Sequence, residues 1–308
     1  MLRLTANRGG VAAASLAAIL TACAHDAAAP GAASKITPQQ AVAVGTRLSR
    51  EIGTSLNALT LGGSGGFAAA SLRTARGVQR AAPAAGAPCP AIDNTTDSDH
   101  DGIPDNATLT FALPQCESVV NGDSTEVTGT VHLTDPVYSP PPSPAAFGYE
   151  ASLSDLTVHF GAMDADSSFT DTRNGAELLL LGPQGLAQTH GFRIAHQDHG
   201  GLANVVDQWN ATFTPAPGQA LVPGVPLPPG FFAAQGHTSW ARGDAVAQFE
   251  IITAIPLAYD PTCPESAPNR IRSGEIHASF VGPGQQAYVR IVFADCAAPD
   301  VTFMQHQP

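Results

Sequence analysis

Nine consecutive residues carry the most explicit chemistry in this chain. Asp97-Ser98-Asp99-His100-Asp101-Gly102-Ile103-Pro104-Asp105 puts acids at loop positions 1, 3, 5 and 9, with glycine at position 6. A tight turn at the glycine lets Asp97, Asp99, Asp101 and Asp105 aim carboxylate oxygens at one cation, joined by a backbone carbonyl expected from Ile103. Hard oxygen donors of this kind select calcium. The expected role of the ion is structural, because nothing nearby supplies a nucleophile or an open ligand set. The loop departs from an EF-hand: position 12 is Thr108 instead of the bidentate Glu, and Leu109 to Phe111 reads as strand where a helix would exit. An affinity of about 10⁻⁴ to 10⁻³ M, suited to extracellular calcium, is expected. The competing reading is an acidic surface turn without metal.

The loop resembles the DxDxDGxxD loops of thrombospondin type 3 repeats and similar bacterial extracellular loops. A second resemblance lies at the start of the chain. Arg3 and Arg8, the apolar run Val11 to Leu20 and the small residues Thr21 and Ala22 form a secretory signal peptide over residues 1–22. Its last residues with Cys23, Leu20-Thr21-Ala22-Cys23, resemble the lipobox of bacterial lipoproteins. That resemblance implies diacylation of the Cys23 thiol and cleavage before it, and Ala24 in place of Asp implies export to the outer membrane. At about 0.8 kcal/mol per buried methylene, two or three acyl chains anchor a protein stably. Ordinary cleavage after Ala24 is the alternative, since Ala22-Cys23-Ala24 fits an AxA site. No stretch reaches the roughly 18 to 20 apolar residues that a transmembrane helix requires.

With Cys23 used for lipidation, Cys89, Cys116, Cys263 and Cys296 remain, an even number suited to an oxidising compartment. Of the three possible pairings, Cys89 with Cys116 and Cys263 with Cys296 is favoured, because each closes a local loop around hairpin-forming sequence. Zinc is not expected, as there is no CxxC and no tetrahedral Cys/His spacing.

Other sites are fainter. His190, His196, Asp198 and His199 gather near Gly200-Gly201 and could hold a transition metal, but polar residues at a turn tip explain them better. Glu150, Asp155, Glu177, Glu250 and Glu275 fall on expected strands, and two of them could pair as in a glycosidase, without support from spacing. Gly62-Gly63-Ser64-Gly65-Gly66 matches GxSxG by chance, since it follows a helix and precedes low complexity.

The elements that must position these groups fall into five segments: the signal peptide, a flexible tether (23–35), an amphipathic helix (36–61), a low-complexity linker (62–88) and a β-rich domain (89–308). Thr37, Pro38 and Gln40 form a capping box, and Val44, Leu48, Ile52, Leu56 and Leu59 make one apolar stripe that needs an apolar partner. From Cys89 onward, short Val-, Thr-, Ile- and Phe-rich runs alternate with turn residues. Expected strands are Glu126 to Thr134, Phe147 to Phe160, Ala176 to Leu181, Ala203 to Phe213, Ala245 to Ile255, Arg270 to Val281 and Gln286 to Phe293. Asn174-Gly175, Gly200-Gly201, Gly243-Asp244 and Gly282-Pro283-Gly284 read as hairpin turns. The Gly243-Asp244 turn sets Trp240 opposite Ala247, Thr238 opposite Phe249 and His237 opposite Glu250. The fold class is therefore all-β, mainly antiparallel: one large curved sheet, half-barrel or sandwich, with the helix packed on it. The apolar, proline-rich stretch Thr214 to Phe232 is expected to pack back over the sheet.

Residues 23–88 hold six basic and two acidic residues, and residues 89–308 hold six basic and 24 acidic ones. So acidic a body excludes nucleic acid as partner. The expectation is a membrane-anchored, non-catalytic envelope lipoprotein binding an apolar ligand or a partner protein. Such a curved sheet with a helical plug is similar to lipoprotein-carrier and lipid-binding half-barrels at the level of architecture only. The alternatives are an envelope hydrolase acting on glycan or ester, and a purely structural surface module.

Overall fold

The structure is a computed structural model that describes residues 37–58, 89–99, 103–120, 123–137, 148–162, 168–182, 185–222, 227–264, 267, 269–281 and 287–305. All of them belong to one unit, Ser34–Pro308. The signal peptide, the tether and the linker expected from sequence lie outside the described residues, as do Tyr138 to Pro144 and the Gly282-Pro283-Gly284 loop.

Among the described residues one helix, α1 (Pro38–Ala58), precedes thirteen strands: β1 (Ala91–Ile92), β2 (Asn106–Phe111), β3 (Glu117–Val120), β4 (Asp123–Thr134), β5 (Gly148–Gly161), β6 (Phe169–Gly182), β7 (Gly185–Asp198), β8 (Gly201–Pro215), β9 (Gly230–Arg242), β10 (Ala245–Tyr259), β11 (Ile271–Phe280), β12 (Ala287–Ala294) and β13 (Asp300–Gln305). They make a single antiparallel sheet in near-sequential order, with β2 and β3 sharing one side of β4. Among the described residues no ladder joins β13 to β1, so the sheet is open and not a closed barrel.

Two-residue periodicity sorts the side chains. Along β8, Ala203, Val205, Asp207, Trp209, Ala211 and Phe213 are buried while the residues between them are exposed. The Gly243-Asp244 turn joins β9 to β10, with Trp240 opposite Ala247, Thr238 opposite Phe249 and His237 opposite Glu250, the register expected from sequence. The β7–β8 turn sits one residue earlier than expected, at His199-Gly200, because Asp198 pairs Gly201.

Asn174-Gly175 is not a turn. Both residues lie inside β6, and β7, absent from the expected strands, pairs alongside them. Gly175 has φ +144°, and a Cβ there would stand 2.0 Å from the Gly191 carbonyl oxygen. Glycine at this point lets a continuous strand lie close against its neighbour. Asn174 serves the bulge on β5: its Oδ1 accepts from Asp155 N at 2.9 Å and its Nδ2 donates to Asp155 Oδ1 at 2.9 Å. Asp155 itself takes φ +48°.

The capping box of α1 forms as expected. Thr37 N donates to Gln40 Oε1 at 2.9 Å, and Gln40 N donates to Thr37 Oγ1 at 3.2 Å. Ala41, Val44, Leu48 and Ile52 are buried in the one large hydrophobic core, together with inward residues from β2 to β12. The contacts of α1 reveal the curl of the sheet. Arg47 reaches Asp207 on β8, Glu51 reaches Arg173 on β6, and a Cβ at Gly45 would lie 2.5 Å from Val289 on β12 and 2.8 Å from Val301 on β13. In a flat sheet β6 and β13 are seven steps apart, about 33 Å at 4.7 to 4.9 Å per step. A helix about 10 Å across touches both only if the sheet wraps around it. The helix occupies the concave side.

Disulfides Cys89–Cys116 and Cys263–Cys296 form the pairing that local closure favoured, with Cα separations of 5.2 and 5.9 Å. In the connection between β8 and β9, Leu227 is buried and Leu221 packs against the core, while Val222 is exposed.

Candidate functional site

The acidic loop runs between β1 and β2. Asp97 is partly buried, Asp99 is buried, Ile103 is sealed in the core, and Asp101 lies outside the described residues. The Asp105 carboxylate accepts from Ser98 N at 2.8 Å and from the Ser98 hydroxyl, which folds the loop back on itself. These bonds hold the Asp105 carboxyl below its ordinary range. A fourth described carboxylate, which no sequence motif marks, comes from the end of β4. Asp135 N donates to Asp105 O at 3.3 Å, Asp135 Oδ1 accepts from Val137 N at 2.7 Å, and Asp135 Oδ2 is buried without a hydrogen-bond partner. Burial first, then the charges of Asp99, Asp105 and Asp97, push the Asp135 carboxyl up. A carboxyl whose ionisation is opposed by burial and by three acidic neighbours, with an orphaned buried oxygen, suits a hard divalent cation, which would reverse that repulsion. Among the described residues, which exclude Asp101, no three His, Cys, Asp or Glu side chains converge closely enough to form a ligand set.

A second polar assembly fills the seam between α1 and the concave face. Arg47 and Glu51, four residues apart on α1, are both buried. Arg47 Nη1 and Nη2 each donate to Asp207 at 2.8 Å, and Nη2 also reaches Thr238 Oγ1 at 3.3 Å. Arg173 donates to Glu51 at 3.0 and 2.6 Å and to Asp171 at 3.0 Å. The chain of contacts goes on through His196, whose Nδ1 lies 2.6 Å from Asp171 and whose Nε2 lies 3.2 Å from Asp198, and ends where Arg242 donates to Asp198 at 2.8 Å. Burial alone would raise the Asp171 carboxyl, but the His196 hydrogen bond and the Arg173 charge outweigh it and bring the pKa down to about 2. Asp207 is likewise lowered, since the charge and hydrogen bonds of Arg47 overcome its burial.

This corrects the reading of the histidines as turn-tip residues. His196 and His190 are buried on β7, and of the four residues only Asp198 and His199 border the turn. His190 sits between Glu177 on β6 and Trp209 on β8, its ring centroid 3.6 Å from the Trp209 ring and 4.8 Å from Phe192. Burial pushes its pKa down to about 3, so the imidazole is neutral.

The acids considered for a glycosidase pair divide between the two sides of the sheet. Glu177 faces the concave side, where the Tyr149 hydroxyl donates to it and burial raises its pKa. Glu150 and Glu250 alternate with inward residues and so point outward, Asp155 is exposed on its bulge, and Glu275 is held by Arg290 and His277 at 2.6 to 2.9 Å. His237 and Glu250 are both exposed, as expected of a surface cross-strand pair. Cys23 lies outside the described residues.

Comparison with protein-family models, with curated proteins and with solved structures finds no match for the chain. Among the described residues no helix is long and apolar enough to cross a membrane.

Proposed function

We propose that the protein is a bacterial envelope lipoprotein, acylated on Cys23 and held on the outer membrane, whose β-rich domain is non-catalytic and binds an apolar ligand or a partner protein on its concave face. The helix α1 acts as the cover of that face. A calcium ion held by Asp97, Asp99, Asp101, the Ile103 carbonyl and Asp105, with Asp135 beside them, stiffens the start of the domain.

The lipobox and the two disulfides support an exported, oxidising location. The observation that carries the binding reading is the seat of α1. Its stripe of Ala41, Val44, Leu48 and Ile52 is buried against the sheet, yet Arg47 and Glu51 meet the wall through ion pairs. A contact of mixed polarity between parts of a chain resembles a transient interface more than a permanent core. An amphipathic helix laid in a groove is a recurrent recognition mode.

Native mass spectrometry of the protein extracted from membranes, with and without chelator, tests the reading. The expected spectrum shows an N-terminal Cys23 carrying acyl mass, one divalent ion lost on chelation, and a retained ligand or partner. A freely soluble chain with an unacylated amino end would overturn the anchor, and a chain that retains nothing and gains nothing from envelope extract would overturn the binding role.

A further inference from the structure

The seam under α1 contains an unbalanced set of hydrogen-bonding atoms. Arg47 Nε, Arg173 Nε, Trp209 Nε1 and both ring nitrogens of His190 are buried without a hydrogen-bond partner, and the four residues are 3 to 5 % exposed. Native interiors pair nearly all such atoms with protein or ordered water, so orphans gathered in one place mark a missing partner. They are gathered: His190 and Trp209 face each other across β7 and β8, and Arg47 binds Asp207, two residues before Trp209 and on the same face. Arg173 stands on the inner face of β6 opposite Ile194, four residues along β7 from His190, and so borders this group from the next rows.

The chemistry of the occupant follows from the atoms. A neutral imidazole offers one donor and one acceptor, the indole one donor, and each guanidinium Nε one donor, which makes four donors against one acceptor. The partner must therefore be chiefly an acceptor. It is not an anion, because Asp207, Glu51 and Asp171 already outnumber Arg47 and Arg173 by three to two. It is not a cation, which would meet four donors.

We infer that the seam between α1 and β6–β8 is a binding site for an uncharged oxygen: an ordered water, or the hydroxyl or carbonyl oxygen of a neutral ligand. The assignment depends on neither acylation nor calcium. A water fits if it makes the two to four hydrogen bonds usual for buried water, and a ligand oxygen would take the same place.

Two measurements on the full mature chain test it. A crystal structure at about 1.5 Å is expected to show oxygen density within hydrogen-bond reach of Trp209 Nε1 and one His190 ring nitrogen. Proton NMR of ¹⁵N-tryptophan protein then separates the sources. A cross-peak between the Trp209 indole proton and water, with no added mass in the native spectrum, assigns water. A retained small-molecule mass with no water cross-peak assigns a neutral ligand. Density that closes the seam with protein atoms, or an indole proton near neither water nor ligand, overturns the site.

Discussion

Arg47 forks both terminal nitrogens onto the two oxygens of Asp207 at 2.8 Å each, although 160 residues separate them. Both side chains are almost wholly out of solvent. A buried pair of this geometry contributes little against a well-packed apolar substitute, but removing one partner strands a charge in the core. The pair therefore fixes where α1 sits more than how strongly the fold holds together.

Asp207→Ala should lower unfolding stability by about 3 to 5 kcal/mol, read from urea denaturation of the mature chain. The double variant Arg47→Met, Asp207→Leu should recover most of that loss. A double variant as unstable as Asp207→Ala would show that the cost lies in packing, not in the orphaned guanidinium.

Acid should release the network in a defined window. Asp171 has a folded pKa of about 2, below its ordinary carboxylate value, and Asp207 is shifted the same way. Groups depressed in the folded state contribute stability that is present above the unfolded pKa of about 4 and is lost as pH falls through the folded value. Melting temperature should thus decline from about pH 4 toward pH 2. The slope should be shallower in Asp171→Asn, and an unchanged slope would assign acid sensitivity to other carboxylates.

Calcium should raise the melting temperature. If the loop binds with a Kd of about 10⁻⁴ to 10⁻³ M, 10 mM calcium stabilises by about 1.4 to 2.7 kcal/mol, or about 3 to 10 °C for a domain of this size. Scanning calorimetry with calcium and with chelator checks this. Asp135→Asn should reduce the calcium-dependent shift while raising stability in chelator, because it removes one repelling carboxylate.

Gly45→Ala sets two effects against each other. Alanine improves helix propensity by about 1 kcal/mol, but its Cβ would press within 3 Å of Val289 and Val301. Overpacking a filled core costs about 1 to 3 kcal/mol, so the variant should be less stable than the parent by up to about 2 kcal/mol. A more stable variant would mean that α1 can lift from β12 and β13 at little cost.

How far the fold could be read in advance depended on how local its causes were. The Gly243-Asp244 register and the Thr37–Gln40 box follow from neighbours a few residues apart, and both formed as expected. The same local logic misled at Asn174-Gly175, where a turn-like dipeptide serves a bulge with its asparagine and a close strand-to-strand approach with its glycine. Strand β7 was hidden because Gln188, His190 and His196 fill buried positions and break the apolar alternation. Arg47 and Glu51 carry no local signal, since the groups that pair with them lie 160 and 122 residues away. Asp135 carried no motif at all, and only the register of β4 brings it to the acidic loop.

The Cys89–Cys116 bond also governs how force enters the fold. Strand β1 is held to β2 by only two residue pairs, a ladder that a modest pull would unzip. Once α1 has left its seat, tension arriving along the chain at residue 89 passes covalently to residue 116, next to β3, and leaves β1 unloaded. A domain stapled in this way can be tugged from its amino end without its first ladder becoming the mechanical weak point.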